Sequence, residues 1–323
     1  MENRTRSNLQ PQRPLISIIV PAYNVSSYIG EALSSVFAQD FDDYEVIVIN
    51  DGSTDTPELE KVLEPYRGRI NYIYQSNRGI AAARNTALRF ARGELIALLD
   101  SDDAWLEGKL KKQLEFMRKG SYDMVYADAL LIGDTPWPPG TTFMDRSSSD
   151  GPVTLNSLLD IRCAVVVSTV IMRKDVVDQV GGFDEGDRNL TEDFDLWLRL
   201  AKAGARISYQ KKVLAKYRYR GDSISANRVG LHEAALRVLQ KTRRSMALSV
   251  KETEALNRTE RRLHHILMLE SSKKLIVKGE VDAARAMLSK ARETNNSWKI
   301  PIALLALRTF PGLLRRYLKQ QLQ

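Results

Sequence analysis

Glu94–Asp103 reads ELIALLDSDD: five apolar residues run directly into three carboxylates within four positions. Like charges this close raise one another's pKa and repel, so something must offset them. An uninterrupted apolar run is how a strand reads when helices cover both faces of a parallel sheet. In such sheets ligands gather at the C-terminal ends of the strands, which is where these acids fall.

The flanking sequence repeats the pattern. LISIIV (15–20), YEVIVIN (44–50) and INYIYQ (70–75) are further strand-like runs, separated by helix-length segments at 26–38, 55–66 and 78–92. Alternation at this spacing predicts βαβ units and an α/β fold built on a Rossmann-like sheet. Beyond it, 104–119 reads as a helix, 134–152 as a Pro-, Gly- and Ser-rich loop and VVVSTVIM (165–172) as a strand. Residues 191–203 read as an amphipathic helix, VLAKYRY (213–219) as a last strand, and the chain from about 230 onward as helical.

Three strand ends carry polar groups: Pro21-Ala22-Tyr23-Asn24, Asn50-Asp51-Gly52-Ser53-Thr54-Asp55 and Asp100-Ser101-Asp102-Asp103. Each has an ordinary reading. Asp51-Gly52 makes a good turn, and Ser53 or Asp55 a good helix N-cap. Asp103 fits as the N-cap of a helix starting at Ala104. That leaves Asp100 and Asp102, which in an extended segment project to the same side. Two carboxylates so placed suit Mg²⁺ or Mn²⁺, and Mg²⁺ takes its other ligands from phosphates and water. A phosphorylated co-substrate is implied.

SIIVPAYNVSSYIGEALSSVFAQ, YEVIVINDGSTD, NRGIAAARNTAL and GELIALLDSDD, in this order, resemble the family 2 inverting glycosyltransferases over roughly residues 15–225. The resemblance implies a GT-A fold at 15–228. A nucleotide-binding half covers about 15–103 and an acceptor half about 104–228. A disordered tail at 1–14 precedes them, and a basic α-helical C-terminal extension at 229–323 follows. It also implies a nucleotide-sugar donor, UDP-linked, and a glycan or lipid-linked acceptor. Pro21, Ala22, Tyr23 and Asn24 would line the base and ribose pocket, with Tyr23 packing on the base. Asp51 would accept the uracil N–H, and Arg84 would lie near the diphosphate or Asp51; its plainer reading is an exposed helix arginine. Asp100 and Ser101 would face the nucleotide, Asp100 through the ribose or metal-bound water, and Asp102 would hold the metal.

Inverting transfer needs a base for the acceptor hydroxyl. Thr191-Glu192-Asp193-Phe194-Asp195-Leu196-Trp197 resembles the family's Glu-Asp motif, which makes Asp193 the candidate base, with Glu192 and Trp197 orienting the acceptor. Acids in a first helical turn also simply offset the macrodipole. Helix phase puts Glu192, Asp195, Arg199 and Lys202 on one polar stripe and Asp193 on the apolar side with Leu196, Trp197 and Leu200. A carboxylate there is costly without a task, and burial raises its pKa toward that of a useful base. In Tyr217-Arg218-Tyr219-Arg220, Arg220 stands where the family often has His, so a third protein ligand to the metal is in doubt and Arg220 is read as a diphosphate contact.

Composition bounds the rest. A single cysteine, Cys163, excludes an internal disulfide framework and suits a reducing compartment. Residues 1–13 have no apolar core of a leader, and no run reaches the ~18 apolar residues of a membrane span, so a cytoplasmic protein is expected. Net charge is +8, yet residues 230–323 alone hold 19 Lys/Arg against 8 Asp/Glu, and the last 25 hold five cations and no acid. The asymmetry points to an anionic surface. With Trp298, Phe310 and several leucines, residues 297–319 fit peripheral contact with the inner face of a membrane; nucleic acid is not the expected partner. Pro311 should split this segment. Two other classes stay open: a nucleotidyltransferase, although PAYNVSSYIG lacks the glycine-rich, Lys-containing signature, and a non-catalytic nucleotide-sugar or membrane-binding module.

Overall fold

The computed structural model describes residues 13–149, 152–186, 191–221, 227–294 and 298–321. Most of the expected N-terminal tail, and Asp222–Ser225, lie outside the described residues. The chain divides into two compact units: residues up to 158 with 162–226, and residues 159–161 with 227 onward.

The first unit is built on a mixed sheet. Its strands are β1 (Ile16–Ala22), β2 (Tyr44–Asp51), β3 (Asn71–Gln75), β4 (Leu95–Leu98), β5 (Ala104–Trp105), β6 (Met124–Gly133), β7 (Ile171–Arg173) and β8 (Ile207–Tyr219), in spatial order β3-β2-β1-β4-β7-β6-β8-β5. β3, β2, β1 and β4 run parallel, β7 is antiparallel to β4 and β6, and β6 pairs parallel with β8. Helices α1 (Ile29–Phe37), α2 (Thr56–Leu63), α3 (Ile80–Phe90), α4 (Lys109–Gly120), α5 (Leu155–Leu159), α6 (Lys174–Gln179) and α7 (Glu192–Lys202) connect the strands.

Every residue of β1 is buried, which is why its sequence is apolar throughout rather than alternating. Each fully buried Ile or Val contributes about 1.5–3 kcal/mol relative to exposure. β1 and β4 stay paired only to Ile19 and Leu98, with a last bond from Leu99 N to Ile19 O at 3.0 Å. Pro21 falls two residues later, facing the same edge, so its missing N–H costs no ladder bond. The split between β1 and β4 is the point where strand order reverses, the place where α/β sheets open a crevice.

Three local readings are corrected. Ala104–Trp105 pairs antiparallel with Lys216 and Ala215 of β8, and the helix begins only at Lys109, so Asp103 caps nothing. VVVSTVIM is broken by a 3-10 turn at Val167–Thr169, leaving only Ile171–Arg173 as strand. β6, unread in the sequence, forms the long central pairing with β8.

The second unit is helical: α8 (Arg228–Ser245), α9 (Val250–Lys278), α10 (Val281–Thr294), α11 (Lys299–Thr309) and α12 (Pro311–Gln321). Ser249 and Glu252 form a reciprocal capping box at the start of α9. Gly279, at φ +93°, ends that helix in the left-handed region that glycine tolerates best. Ile276, Ala284, Leu288, Ala291, Ile300 and Leu307 make its core. Pro311 opens α12 at a position where no N–H is needed, and the 297–319 segment is split there.

Candidate active site

The strand-end loops are fastened to one another. Asn24, in the left-handed region at φ +53°, accepts at Oδ1 from the Thr54 backbone N–H (2.8 Å) and hydroxyl (3.0 Å). The Asp55 carboxylate receives the Ser26 N–H at 2.9 Å, so it ties the first loop to the second rather than capping α2. Asp51 is buried, accepting at Oδ1 from Gln75 Nε2 (2.7 Å) and Arg78 N (3.0 Å) and at Oδ2 from Gly79 N (2.8 Å). A Cβ on Gly52 (φ +67°) would lie 2.6 Å from Asn77 N, so this close turn admits only glycine. Pro21 and Ala22 are buried in β1, whereas Tyr23 is half exposed and presents its ring at the strand end.

Arg84 is the centre of the site. It is 1% exposed, on α3 among the buried Ala81, Ala82, Ala83 and Ala87, with Ala81 and Ala87 on its own face of the helix. Its guanidinium donates to Asp100 Oδ1 at 2.7 Å and to Glu192 Oε1, and stacks 5.4 Å from the Phe183 ring. Arg84 is thus neither an exposed helix arginine nor a partner of Asp51. It joins the loop after β4 to the first turn of α7.

The acids after β4 do not lie along an extended strand. Ser101 and Asp102 form a turn, closed by Asp103 N donating to Asp100 O at 3.0 Å, with Ser101 buried. Asp103 points inward, accepting from Ser168 Oγ (2.5 Å) and Arg218 N (2.8 Å). Ser168 Oγ also receives the Asp100 N–H at 3.0 Å. Asp102 faces Arg220, with Oδ2 and Nη1 3.6 Å apart. Burial, then the neighbouring Asp100, raises the Asp102 pKa, and the two arginines Arg220 and Arg218 only partly offset this.

At the start of α7 the expected faces are exchanged. Glu192 and Asp195 are buried, Glu192 on Arg84 and Asp195 on Arg199 Nε at 2.7 Å, so the supposed solvent stripe holds ion pairs. Asp193 is half-buried at the site and accepts the Phe194 N–H at 2.7 Å. Trp197 is 2% exposed and its indole N–H has no protein partner among the described residues. It supports α7 from beneath and offers no ring face to an acceptor. Glu192 is likewise buried, with its carboxylate on Arg84.

One guanidinium serves two carboxylates in direct contact and a third, Asp193, close by. Arg84 therefore gains, its pKa raised by Asp100 and Glu192. The acids lose more by leaving water than this shared cation returns. Burial pushes Glu192 up to about 7 and raises Asp193 as well, against the pull of Arg84. The Asp100–Asp102 pair fits a hard divalent cation needing one or two carboxylates. Among the described residues no cluster of three His, Cys, Asp or Glu forms a closed protein cage.

Several residues that hold the site were not singled out from sequence. Asn85 clamps the Gly181–Glu185 turn: its Nδ2 donates to Phe183 O (2.8 Å) and its Oδ1 accepts from Phe183 N (2.9 Å). A Cβ on Gly182 (φ +72°) would come within 2.8 Å of that Oδ1. Ser168 and Arg218, which bind Asp103, had no local signal beyond lying near recognised motifs.

A split parallel sheet whose crevice gathers carboxylates around one buried arginine, completed by an acidic helix start, defines a GT-A glycosyltransferase. Comparison with known proteins agrees. The model of the glycosyl transferase family 2 matches residues 17–181. The teichuronic acid biosynthesis glycosyltransferase TuaG of Bacillus subtilis is 33% identical over 218 residues, 67% of this chain and 83% of the relative. WfgD of Escherichia coli, a UDP-Glc:alpha-D-GlcNAc-diphosphoundecaprenol beta-1,3-glucosyltransferase, is 32% identical over 216 residues, 66% of this chain and 81% of the relative. In fold, the chain is similar to the mannosyltransferase PcManGT of Pyrobaculum calidifontis, solved with GDP-Man and Mn²⁺ (TM-score 0.62, 22% identity, 95% of this chain and 85% of that one). The chain belongs to glycosyl transferase family 2 and is an enzyme of the glycosyl-transferring class.

Proposed function

We propose that this protein moves a sugar from a UDP-sugar to a hydroxyl of a lipid-linked or glycan acceptor, with inversion at the anomeric carbon. The observation that carries the reading is the Arg84 bridge, which sets the Asp100–Asp102 loop and the Glu192–Asp193 turn in one electrostatic unit. The names of two relatives support the chemistry: WfgD takes UDP-Glc and a diphosphoundecaprenol acceptor, and TuaG is named for a cell-envelope polymer.

Asp193 takes the proton of the acceptor hydroxyl as that oxygen attacks the anomeric carbon; the bond to the diphosphate breaks and UDP leaves. Its raised pKa suits a base. Asp102 would hold a Mg²⁺ or Mn²⁺ ion, which when bound would supply positive charge toward the leaving diphosphate. Arg220, beside Asp102, adds a fixed cation on that side. Tyr23 packs on the base, and Asp51, with one accepted bond on Oδ2, keeps acceptor capacity for the uracil N–H. A lipid-linked acceptor would be met at a membrane surface.

Asp193→Asn should lower transfer by about 10²–10⁴-fold while leaving UDP affinity unchanged. NMR of the product of the wild-type reaction should show the anomeric configuration opposite to the donor's. Retention of configuration, or near-normal transfer by the Asn variant, would overturn the assignment.

A further inference from the structure

Among the described residues, half of the large apolar side chains left exposed fall within Trp298–Tyr317: Trp298, Ile302, Leu305, Phe310, Leu313 and Tyr317, each between 56% and 70% exposed. They are not scattered. On α11, Trp298, Ile302 and Leu305 recur at four- and three-residue steps along one face. Ile300, Ala303, Leu304 and Leu307 line the opposite face and pack into the core of the second unit. On α12, Leu313 and Tyr317 are exposed four residues apart, while Leu314 and Leu318 face that core. Both helices therefore carry apolar side chains on two sides, one packed into the core of the second unit and the other solvent-exposed among the described residues. A surface helix needs only one such face.

The charge within this segment is of one sign. Residues 299–323 contain five Lys/Arg and no Asp/Glu. Arg315 is engaged, its Nε donating to Val277 O at 2.9 Å, while Arg308, Arg316 and Lys319 are exposed around the apolar stripe. Aromatic and leucine side chains ringed by cations fit the boundary between headgroups and acyl chains of an anionic bilayer. No described helix is long and apolar enough to cross a membrane, so the contact is lateral.

We infer that the outer face of α11 and α12 binds an anionic lipid surface, Trp298, Ile302, Leu305, Phe310, Leu313 and Tyr317 entering the interface and Arg308, Arg316 and Lys319 meeting the headgroups. This surface belongs to the helical unit and depends on no step of the transfer reaction. It stands or falls separately from the proposed chemistry.

The full-length protein should co-sediment with vesicles of phosphatidylcholine containing roughly one-third phosphatidylglycerol at low salt, and be released as salt rises. Arg308→Glu with Arg316→Glu should weaken binding by at least about twentyfold, at about fivefold per basic residue. Leu305→Asp with Leu313→Asp should weaken it tenfold or more, and Trp298 emission should shift to the blue on vesicles, a shift that Trp298→Phe removes. All these side chains point outward, so helicity by circular dichroism and donor turnover should match wild type in every variant. Absence of binding to the anionic vesicles, or binding unchanged by both pairs of substitutions, overturns the inference. So does a stable dimer in light scattering that Leu305→Asp with Leu313→Asp dissolves, since a second copy of the chain would then cover the face.

Discussion

Two acidic clusters meet in the crevice, and they are built alike. After β4 stand Asp100, Asp102 and Asp103; at the start of α7 stand Glu192, Asp193 and Asp195. In each, one acid is bound into the scaffold: Asp103 by Ser168 and Arg218, Asp195 by Arg199. In each, one acid is held by Arg84: Asp100 and Glu192. The remaining acids differ. Asp102 faces the guanidinium of Arg220, whereas Asp193 receives the N–H of Phe194. In both settings burial outweighs the nearby cation, so the pKa of Asp102 is raised as that of Asp193 is; what differs is the neighbour, a guanidinium beside Asp102 and a backbone N–H on Asp193. The two tasks proposed for the clusters, holding a metal and taking a proton, are divided by what stands opposite the third acid.

Removing the bridge should have the largest effect. Arg84→Met leaves the buried Glu192 and the partly exposed Asp100 without their cation and should cost about 3–5 kcal/mol of stability, read by urea denaturation, together with transfer activity. If the variant were as stable as wild type, the clusters would not be coupled through Arg84. Next, Asp103→Ala removes two hydrogen bonds to a buried carboxylate and should cost about 1.5–3 kcal/mol, while donor affinity of the folded fraction changes little. A donor-binding loss much larger than the stability loss would place Asp103 among the ligand contacts.

A smaller effect is read at Glu192 by pH. Burial lifts Glu192 from 4.5 to about 7, so the fold favours its protonated form. The stability this group contributes is full below its unfolded pKa and is lost as pH rises through about 7. Glu192→Gln keeps an acceptor for Arg84 without that loss. Wild type should therefore lose stability relative to the variant between mildly acidic and mildly alkaline buffer. Parallel curves would mean that Glu192 stays ionised throughout. Transfer should also fade on the acid side at a higher pH than an ordinary aspartate would give, because burial raises the pKa of Asp193. The smallest effect expected is that of Arg220→Ala, about a tenfold fall in turnover at saturating donor; no fall would remove Arg220 from the diphosphate side.

Residues 15–103 were readable because their signals are local. Apolar runs, turn residues and strand-end acids in 15–103 lie beside one another in sequence, and the strands and helices fall within a few residues of where they were expected. Residues 104–221 were read less well because their determinants are distant. Asp103 looks like a helix cap until Ala104–Trp105 is claimed by β8, more than a hundred residues on. Glu192 and Asp195 look like a wet stripe because helix phase cannot reveal a buried arginine at position 84 or a guanidinium folded back from position 199. Trp197 kept the phase expected of it but lies wholly in the core. Motif order found the acids; only tertiary contacts divided their work.

That division is tested most directly by calorimetric titration of UDP, with and without Mn²⁺, into wild type, Asp102→Asn and Asp193→Asn. The expected result is that Asp102→Asn loses the Mn²⁺-dependent part of UDP affinity, while Asp193→Asn keeps all of it. Loss in both variants, or in neither, would contradict the assignment of one cluster to the leaving group and the other to the proton.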